Sequence, residues 1–167
     1  MKTIAIAAAA ACALLAAPAV ASAETSFYGS VGYTNVAVEQ IDVNLGMIQA
    51  RGGLALNDYI AFEAELGFGV SDDTLAGVKV EMERQYGAYV VVKAPVADRI
   101  SAFGRLGYAD YEIKATAGGA TASGEGNAAV FGLGVEGEIT EKDAVRAEFG
   151  RFGDDANVWS LSYVRRF

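Results

Sequence analysis

The sequence has one cysteine, two prolines, no histidine and no apolar run of the ~20 residues that a membrane-spanning helix requires. The missing run argues against a helical membrane protein. Because Cys12 lies in the N-terminal apolar segment, the rest of the chain can form no disulfide. Lysine and arginine total 13 against 21 acidic residues, which gives a formal charge of −8, and they form no basic cluster. This balance argues against nucleic acid as a partner.

The N-terminus has the three parts of a secretory signal peptide. Lys2 supplies a positive start, residues 4–15 supply an apolar core, and Ala21-Ser22-Ala23 is a small-residue cleavage site. We expect cleavage after Ala23. Residues 1–23 are therefore predicted to be a signal peptide, and residues 24–167 a single exported domain.

Apolar and acidic side chains alternate strictly between residues 60 and 70. The apolar positions are Ile60, Phe62, Ala64, Leu66, Phe68 and Val70. Glu63 and Glu65 lie between them, so the pattern predicts a β-strand with two unlike faces. The pattern by itself leaves two facings open. In a soluble barrel the glutamates face water, whereas in an outer-membrane barrel they face the lumen and the apolar row faces lipid.

The chain contains enough alternating segments, separated by turn residues, for eight strands. We place them at residues 26–35, 43–56, 59–70, 78–94, 99–112, 127–139, 144–153 and 157–167. Tight turns at 57–58, 95–98 and 140–143 alternate with longer connections such as 71–77 and 113–126, the last predicted to be a flexible surface loop. Such alternation is typical of outer-membrane barrels and places both termini on the short-turn, periplasmic side. The fold prediction is an all-β, eight-stranded, antiparallel up-and-down transmembrane barrel preceded by a signal peptide.

Strand parity places most of the charged residues on the face opposite the apolar rows. These residues are Arg51, Glu63, Glu65, Arg105, Glu136, Glu138, Arg146 and Glu148. The interior of an eight-stranded barrel is just wide enough for side chains to fill it. Five carboxylates and three guanidinium groups are therefore predicted to form a paired ionic plug in the lumen. The facing of strand 78–94 stays open, because Val90-Val91-Val92 interrupts its alternation.

Four side chains of the last strand share one face, namely Trp159, Leu161, Tyr163 and Phe167. This ending resembles the assembly signal of bacterial outer-membrane barrels. Together with residues 27–33 and Arg105-Leu106-Gly107-Tyr108, it resembles the small barrels of the OmpA transmembrane, OmpX and opacity-protein type. The resemblance implies residence in the outer membrane of a Gram-negative bacterium. It also implies contact with outer-membrane lipid, lipopolysaccharide and the barrel-assembly machinery, and leaves host or cell-surface ligands of the loops open.

Two motifs invite a catalytic or nucleotide-binding interpretation that their context does not support. Residues 132–137 match the pattern G-x-G-x-x-G, but they lie within a predicted strand and no helix follows to hold a pyrophosphate. Their glycines are better explained by relief of crowding in a narrow lumen. Glu63 and Glu65 lack an accessible substrate pocket. The lipid A deacylases, palmitoyltransferases and surface proteases found among outer-membrane barrels use histidine, which this chain lacks.

Adjacent acids at Asp72-Asp73 and Asp154-Asp155 form a weak calcium pattern, because no further spaced ligands accompany them. We therefore expect no catalytic residue, cofactor or metal. The function predicted is that of a structural or surface-interaction protein of adhesion or opacity type on a plugged barrel. A small porin with a water-filled lumen is the first alternative. A periplasmic barrel for a lipophilic ligand, with the reverse facing, is the second.

Overall fold

The computed structural model describes residues 25–38, 43–153 and 156–167. They form nine strands, which are β1 Ser26–Val38, β2 Val43–Ala55, β3 Ile60–Ser71, β4 Asp73–Leu75, β5 Val78–Ala97, β6 Ile100–Ala117, β7 Ala120–Glu138, β8 Asp143–Phe152 and β9 Ala156–Arg166. No helix in these ranges is long and apolar enough to cross a membrane. The predicted signal peptide and Asp154-Asp155 lie outside the described residues.

Eight of these strands close into an antiparallel barrel. Each strand pairs with its neighbour in sequence, β1 pairs with β9, and β3 pairs directly with β5. The remaining strand, β4, adds only to the edge of β5 and was not predicted. The prediction of an all-β, eight-stranded, antiparallel barrel is confirmed.

The exposure of side chains on the two faces of β3 shows which face points into the lumen. Glu63 and Glu65 are each 3% exposed, whereas Leu66 and Phe68 are more than half exposed. Isoleucine, leucine, valine and aromatic side chains on the other strands are exposed in the same way, and they form an apolar outer surface. The reverse facing required by a soluble periplasmic barrel is therefore wrong.

On strand β5, the face that carries Tyr89 points into the lumen. Tyr89 and Val91 are buried, whereas Tyr86, Val90 and Val92 are exposed. The run of three valines keeps strict alternation, with only its central residue in the lumen. An unbroken apolar run hid that alternation in the sequence, because all three side chains are equally apolar.

The prediction of a flexible loop over 113–126 is wrong. Strands β6 and β7 continue through this region as a regular ladder, from Ile113↔Gly124 to Ala117↔Ala120. Only Gly118 and Gly119 form the turn, and both have positive φ, as a two-residue hairpin turn requires. The small residues of this segment suit a two-sided exposed hairpin as well as a loop, and composition alone does not separate the two.

The ends of three strands that lie farthest from the two termini of the barrel therefore extend beyond it. We call residues 78–83 of β5, 112–117 of β6 and 120–128 of β7 the outer ribbon. Strand β4 covers its β5 edge, where Asp73, Thr74 and Leu75 pair with residues 78–80. At the opposite end of the barrel the connections are tight, and both termini of the barrel lie there.

Four inward-facing aromatic rings stand opposite glycines on the neighbouring strand. The pairs are Tyr28↔Gly53, Tyr89↔Gly107, Phe103↔Gly134 and Tyr111↔Gly126. A Cβ atom on any of these glycines would overlap the facing ring. Glycine therefore provides the room in which a large ring lies flat against the inner wall, which supports the interpretation that glycines relieve crowding in the lumen.

Candidate functional site: the barrel lumen

Glu65 is the centre of one group of charges inside the barrel. Arg51 Nε on β2 lies 2.6 Å from Glu65 Oε2, and Arg105 Nη1 on β6 lies 2.8 Å from the same oxygen. The other oxygen accepts hydrogen bonds from Gln85 Nε2 at 2.7 Å and from the Tyr89 hydroxyl at 3.1 Å. Four donors from three strands thus hold one buried carboxylate.

Glu148 on β8 joins the same two arginines from the other side of the lumen. Its Oε2 lies 3.0 Å from Arg51 Nη1, and its Oε1 lies 3.1 Å from Arg105 Nε. The Arg105 guanidinium also lies 3.8 Å from the centre of the Tyr89 ring, close enough for a cation–π contact. The guanidinium is therefore fixed by contacts on several sides.

Arg146 is the centre of a second group nearer the termini. Its Nη1 lies 2.5 Å from Glu63 Oε1, and its Nη2 lies 2.7 Å from Glu136 Oε2. The Tyr28 hydroxyl donates to Glu63 Oε1 at 2.7 Å. A longer contact of 3.6 Å between Arg105 Nη1 and Glu63 Oε2 links the two groups. Charges from five strands therefore form one connected set.

Two cations that the sequence interpretation left out complete this set. Lys93 Nζ lies 3.0 Å from Glu136 Oε1, and Arg166 Nη2 lies 2.7 Å from the same oxygen. Parity could have identified both. Lys93 shares a face with the inward-facing Tyr89, and Arg166 alternates with the outward-facing Arg165. Among the described residues, the predicted five carboxylates against three guanidinium groups become five against five.

Glu138 is the predicted lumen residue that the structure sets apart from the others. It lies at the terminal end of the barrel, is about one-third exposed, and pairs with Arg166 Nη1 at 2.6 Å. The other seven predicted residues are buried. Glu138 is connected to them only through Arg166 and Glu136.

An apolar layer fills the lumen between the ionic groups and the outer ribbon. Its buried members include Val36, Leu45, Met47, Val130 and Phe152, and Met82 at the base of the outer ribbon packs with them. A smaller apolar cluster lies at the terminal end around Arg146, and includes Tyr28, Phe103, Ala144 and Val164. The charges are thus enclosed by apolar side chains, where a charge stripped of its partner is costly.

The inner wall of β1 and β9 differs from the rest of the lumen. The middle of this wall carries small side chains, and four buried hydroxyls there make no hydrogen bond to the described residues. They belong to Ser30, Thr34, Ser160 and Ser162. This polar strip runs beside the ionic groups rather than through them.

The four residues proposed as an assembly signal lie on the outer face of the last strand. Trp159, Leu161 and Tyr163 are exposed along β9, and Phe167 follows its end. The Phe167 backbone N–H donates to the Phe27 carbonyl at 3.0 Å, which holds the end of the chain against β1. The outer surface therefore presents all four side chains together.

Several solved structures share this fold. Ail of Yersinia pestis, crystallised with the heparin analogue sucrose octasulfate, is 17% identical with a TM-score of 0.62, and the match covers 86% of this chain and 99% of that chain. The N-terminal β-barrel domain of Pseudomonas aeruginosa OprF is 11% identical with a TM-score of 0.64, covering 86% and 100%. Neisserial surface protein A is 10% identical with a TM-score of 0.59, covering 85% and 95%. These likenesses show the fold.

No curated protein matches the sequence. The family model described as "Outer membrane protein beta-barrel domain", in contrast, matches residues 5–167. That match spans nearly the whole chain and agrees with the closed barrel, the apolar outer wall and the buried charges. The chain belongs to the outer membrane protein beta-barrel domain family and is a protein of the bacterial outer membrane.

Proposed function

We propose that this barrel is a non-catalytic structural and surface-interaction protein of adhesion or opacity type. The filled lumen carries this proposal. Its carboxylates are held by guanidinium, ammonium, amide and hydroxyl donors, and an apolar layer separates them from the outer ribbon. A lumen filled in this way supports a rigid scaffold rather than a transport path.

The outer ribbon is the part of the scaffold that would meet a ligand. Bacterial barrels have short turns on the periplasmic side, so the end with the termini faces the periplasm and the ribbon faces outward. We propose that the apolar wall contacts membrane lipid and lipopolysaccharide, and that the β9 face is recognised by the barrel-assembly machinery. The ribbon is rich in carboxylates, which disfavours the sulfated ligand class seen with Ail.

Conductance of the refolded protein in planar bilayers tests the filled lumen. We expect no stable unitary openings at neutral pH and moderate salt. Stable, ion-selective openings in the parent protein would overturn the proposal.

The polar strip on β1 and β9 favours a small porin as the second candidate. Unpartnered hydroxyls of Ser30, Thr34, Ser160 and Ser162 can hydrogen-bond to water along one wall. The same bilayer experiment separates the two functions. A Ser162→Val variant should leave a silent barrel silent but should lower the conductance of a porin.

Adherence of cells that display the protein tests the surface-interaction role. Residues 114–123 would be replaced by an Asn-Gly turn, which shortens the hairpin but retains the barrel ladder from Ile113↔Gly124 downward. We expect equal amounts in the outer membrane and reduced adherence to epithelial cells or to immobilised matrix proteins. Equal adherence of both forms would contradict the role.

A further inference from the structure

A groove of about 330 Å³ lies on the outer wall of the barrel, where β9, β1 and β2 meet. The residues that line it include Gly29, Val31, Ala50, Tyr163, Arg165 and Phe167. Gly29 lies directly opposite Gly52, so two neighbouring strands carry no outward side chain at this level. A Cβ atom on Gly52 would meet nothing within 4 Å, and one on Gly29 would make only ordinary contacts at 3.8 Å. Packing within the protein therefore does not require this groove.

The groove lies near the end of the barrel that carries the termini. Gly29 is the fourth residue of β1, and Arg165 is the last but one residue of β9. An arginine on the lipid-facing wall is unfavourable at the centre of a bilayer but is tolerated near its edge. With the orientation proposed above, the periplasmic leaflet covers the groove and Arg165 lies at the level of the headgroups. In a bacterial outer membrane this leaflet consists of phospholipid.

Two opposite charges lie side by side at the rim of the groove. Arg165 and Asp143 occupy directly opposed positions on β9 and β8, and Arg165 Nη1 lies 2.9 Å from Asp143 Oδ1. The Asp143 carboxylate also accepts hydrogen bonds from the Thr140 hydroxyl at 2.8 Å and from the Tyr163 hydroxyl. An ionised carboxylate has about four lone-pair sites, so part of its acceptor capacity stays open. The Arg165 side chain is half exposed, and its guanidinium keeps N–H donors for a further anion.

A zwitterionic phospholipid headgroup carries the complementary charges. Its phosphate can accept hydrogen bonds from Arg165, because a guanidinium matches the geometry of phosphate oxygens. Its ammonium can donate to Asp143. The apolar wall alone does not select among lipids, since lipid tails are as apolar as the side chains of the wall. The groove adds packing contacts along an acyl chain, and the charge pair adds the selectivity.

We propose that the groove binds a phospholipid of the phosphatidylethanolamine type, with an acyl chain over Gly29 and Ala50, its phosphate on Arg165 and its ammonium on Asp143. This inference rests on the proposed lipid contact and orientation of the barrel, and it names the lipid class. A second copy of this chain fits less well. A two-fold contact would place the same groove opposite itself and would bring no side chain to fill it.

Native mass spectrometry of the full barrel in detergent micelles tests the proposal. The probes are phosphatidylethanolamine and phosphatidylcholine with identical acyl chains. The quaternary ammonium of phosphatidylcholine cannot donate a hydrogen bond to Asp143. We expect one lipid to stay bound at saturation, and phosphatidylethanolamine to bind roughly tenfold more tightly than phosphatidylcholine.

Two substitutions separate the headgroup contacts. Arg165→Gln removes the charge that pairs with the phosphate and should weaken the binding of both lipids by roughly tenfold. Asp143→Asn removes the negative charge that faces the ammonium. It should abolish the preference for phosphatidylethanolamine and leave the phosphate contact in place.

Gly29→Leu tests the groove itself, because the added side chain occupies the space of the acyl chain. It should weaken the binding of both lipids by roughly tenfold. Gly104→Leu is the matched control. Gly104 lies between the buried Phe103 and Arg105 and so faces outward, and a Cβ atom there makes only ordinary contacts, the nearest at 3.6 Å. This variant should bind like the parent, and a heat-modifiable gel shift verifies that each variant is folded.

Equal binding of the two lipids by the parent would overturn the proposal, as would unchanged binding in Arg165→Gln or Gly29→Leu. A preference for phosphatidylethanolamine that persists in Asp143→Asn would overturn the assigned ammonium contact. Dimers of the parent that are lost in Gly29→Leu would overturn the lipid site in favour of self-association. Conductance and adherence test the proposed function and do not depend on this groove, so the two proposals can fail separately.

Discussion

Arg146 and Glu63 connect opposite walls of the barrel. They lie on β8 and β3, which are four strands apart in either direction around the ring of eight, and Arg146 Nη1 is 2.5 Å from Glu63 Oε1. Both side chains are fully buried. This ion pair therefore spans the lumen directly, from one wall to the other.

Arg146→Ala should strongly destabilise the barrel, because it leaves Glu63 and Glu136 buried without their shared guanidinium. We expect a loss of about 3–5 kcal/mol in the free energy of unfolding, measured by urea titration of the refolded protein in lipid vesicles. Arg165→Ala is the matched control. The Arg165 side chain is half exposed on the outer surface, where it pairs with Asp143, so its loss should cost less than about 1 kcal/mol.

Combining Arg146→Met with Glu63→Gln should cost less than the two single substitutions added together, because the pair is removed as a unit. The coupling is read from a double-mutant cycle in the same urea titrations. Strict additivity of the two losses would show that the ion pair does not couple the two walls.

Gly53→Ala should destabilise the barrel by about 1–3 kcal/mol, because the added methyl group overlaps the Tyr28 ring. Displacement of the ring would also break the hydrogen bond from Tyr28 to Glu63. Gly52→Ala is an adjacent control, since a Cβ atom there meets nothing within 4 Å. Equal stability of both variants would show that the Tyr28 ring can move aside without loss of stability. Unfolding midpoints and tyrosine fluorescence provide the measurements.

The contact between β2 and β4 should weaken in acid. The pKa of Asp73 lies below its ordinary value because the backbone N–H groups of Asn44 and Thr74 donate to its carboxylate, at 2.8 and 2.7 Å. A lowered pKa stabilises the contact fully above the ordinary value of about 3.9, and this stabilisation is lost as pH falls through the lower folded-state value.

The Asn44 amide proton measures this effect directly by NMR. Its chemical shift should titrate with a midpoint below about 3.9, and the Asp73→Ala variant should lose the titration. A midpoint at or above that value would contradict the assigned hydrogen bonds.

Phe167→Ala should reduce assembly in cells while leaving spontaneous refolding in detergent unchanged. The ring is 76% exposed, so its removal opens no cavity in the lumen. Phe149→Ala, which also removes an exposed outward phenylalanine, is the control and should assemble normally. The heat-modifiable fraction in isolated outer membranes reports assembly. Normal assembly of Phe167→Ala would exclude this ring from the signal.

The sequence was sufficient to predict the barrel fold and most of the charged residues that face the lumen, because alternation along a strand depends only on the geometry of the backbone. Glu63 and Glu65 could be placed on one face by parity alone. Lys93 and Arg166 obey the same rule, but β5 was obscured by its valine run and Arg166 lies next to an outward arginine. The residues that pair with each other could not be read from parity, since they lie up to 97 positions apart in the chain.

By itself the sequence determined the eight strands of the barrel and the two faces of most of them, both of which follow from local periodicity. The tertiary structure alone decided which carboxylate pairs with which cation, which aromatic ring lies over which glycine, and that the segment 113–126 continues the ladder. These features depend on register and ring closure. Both bring together residues that are distant in sequence, and no local pattern encodes such contacts.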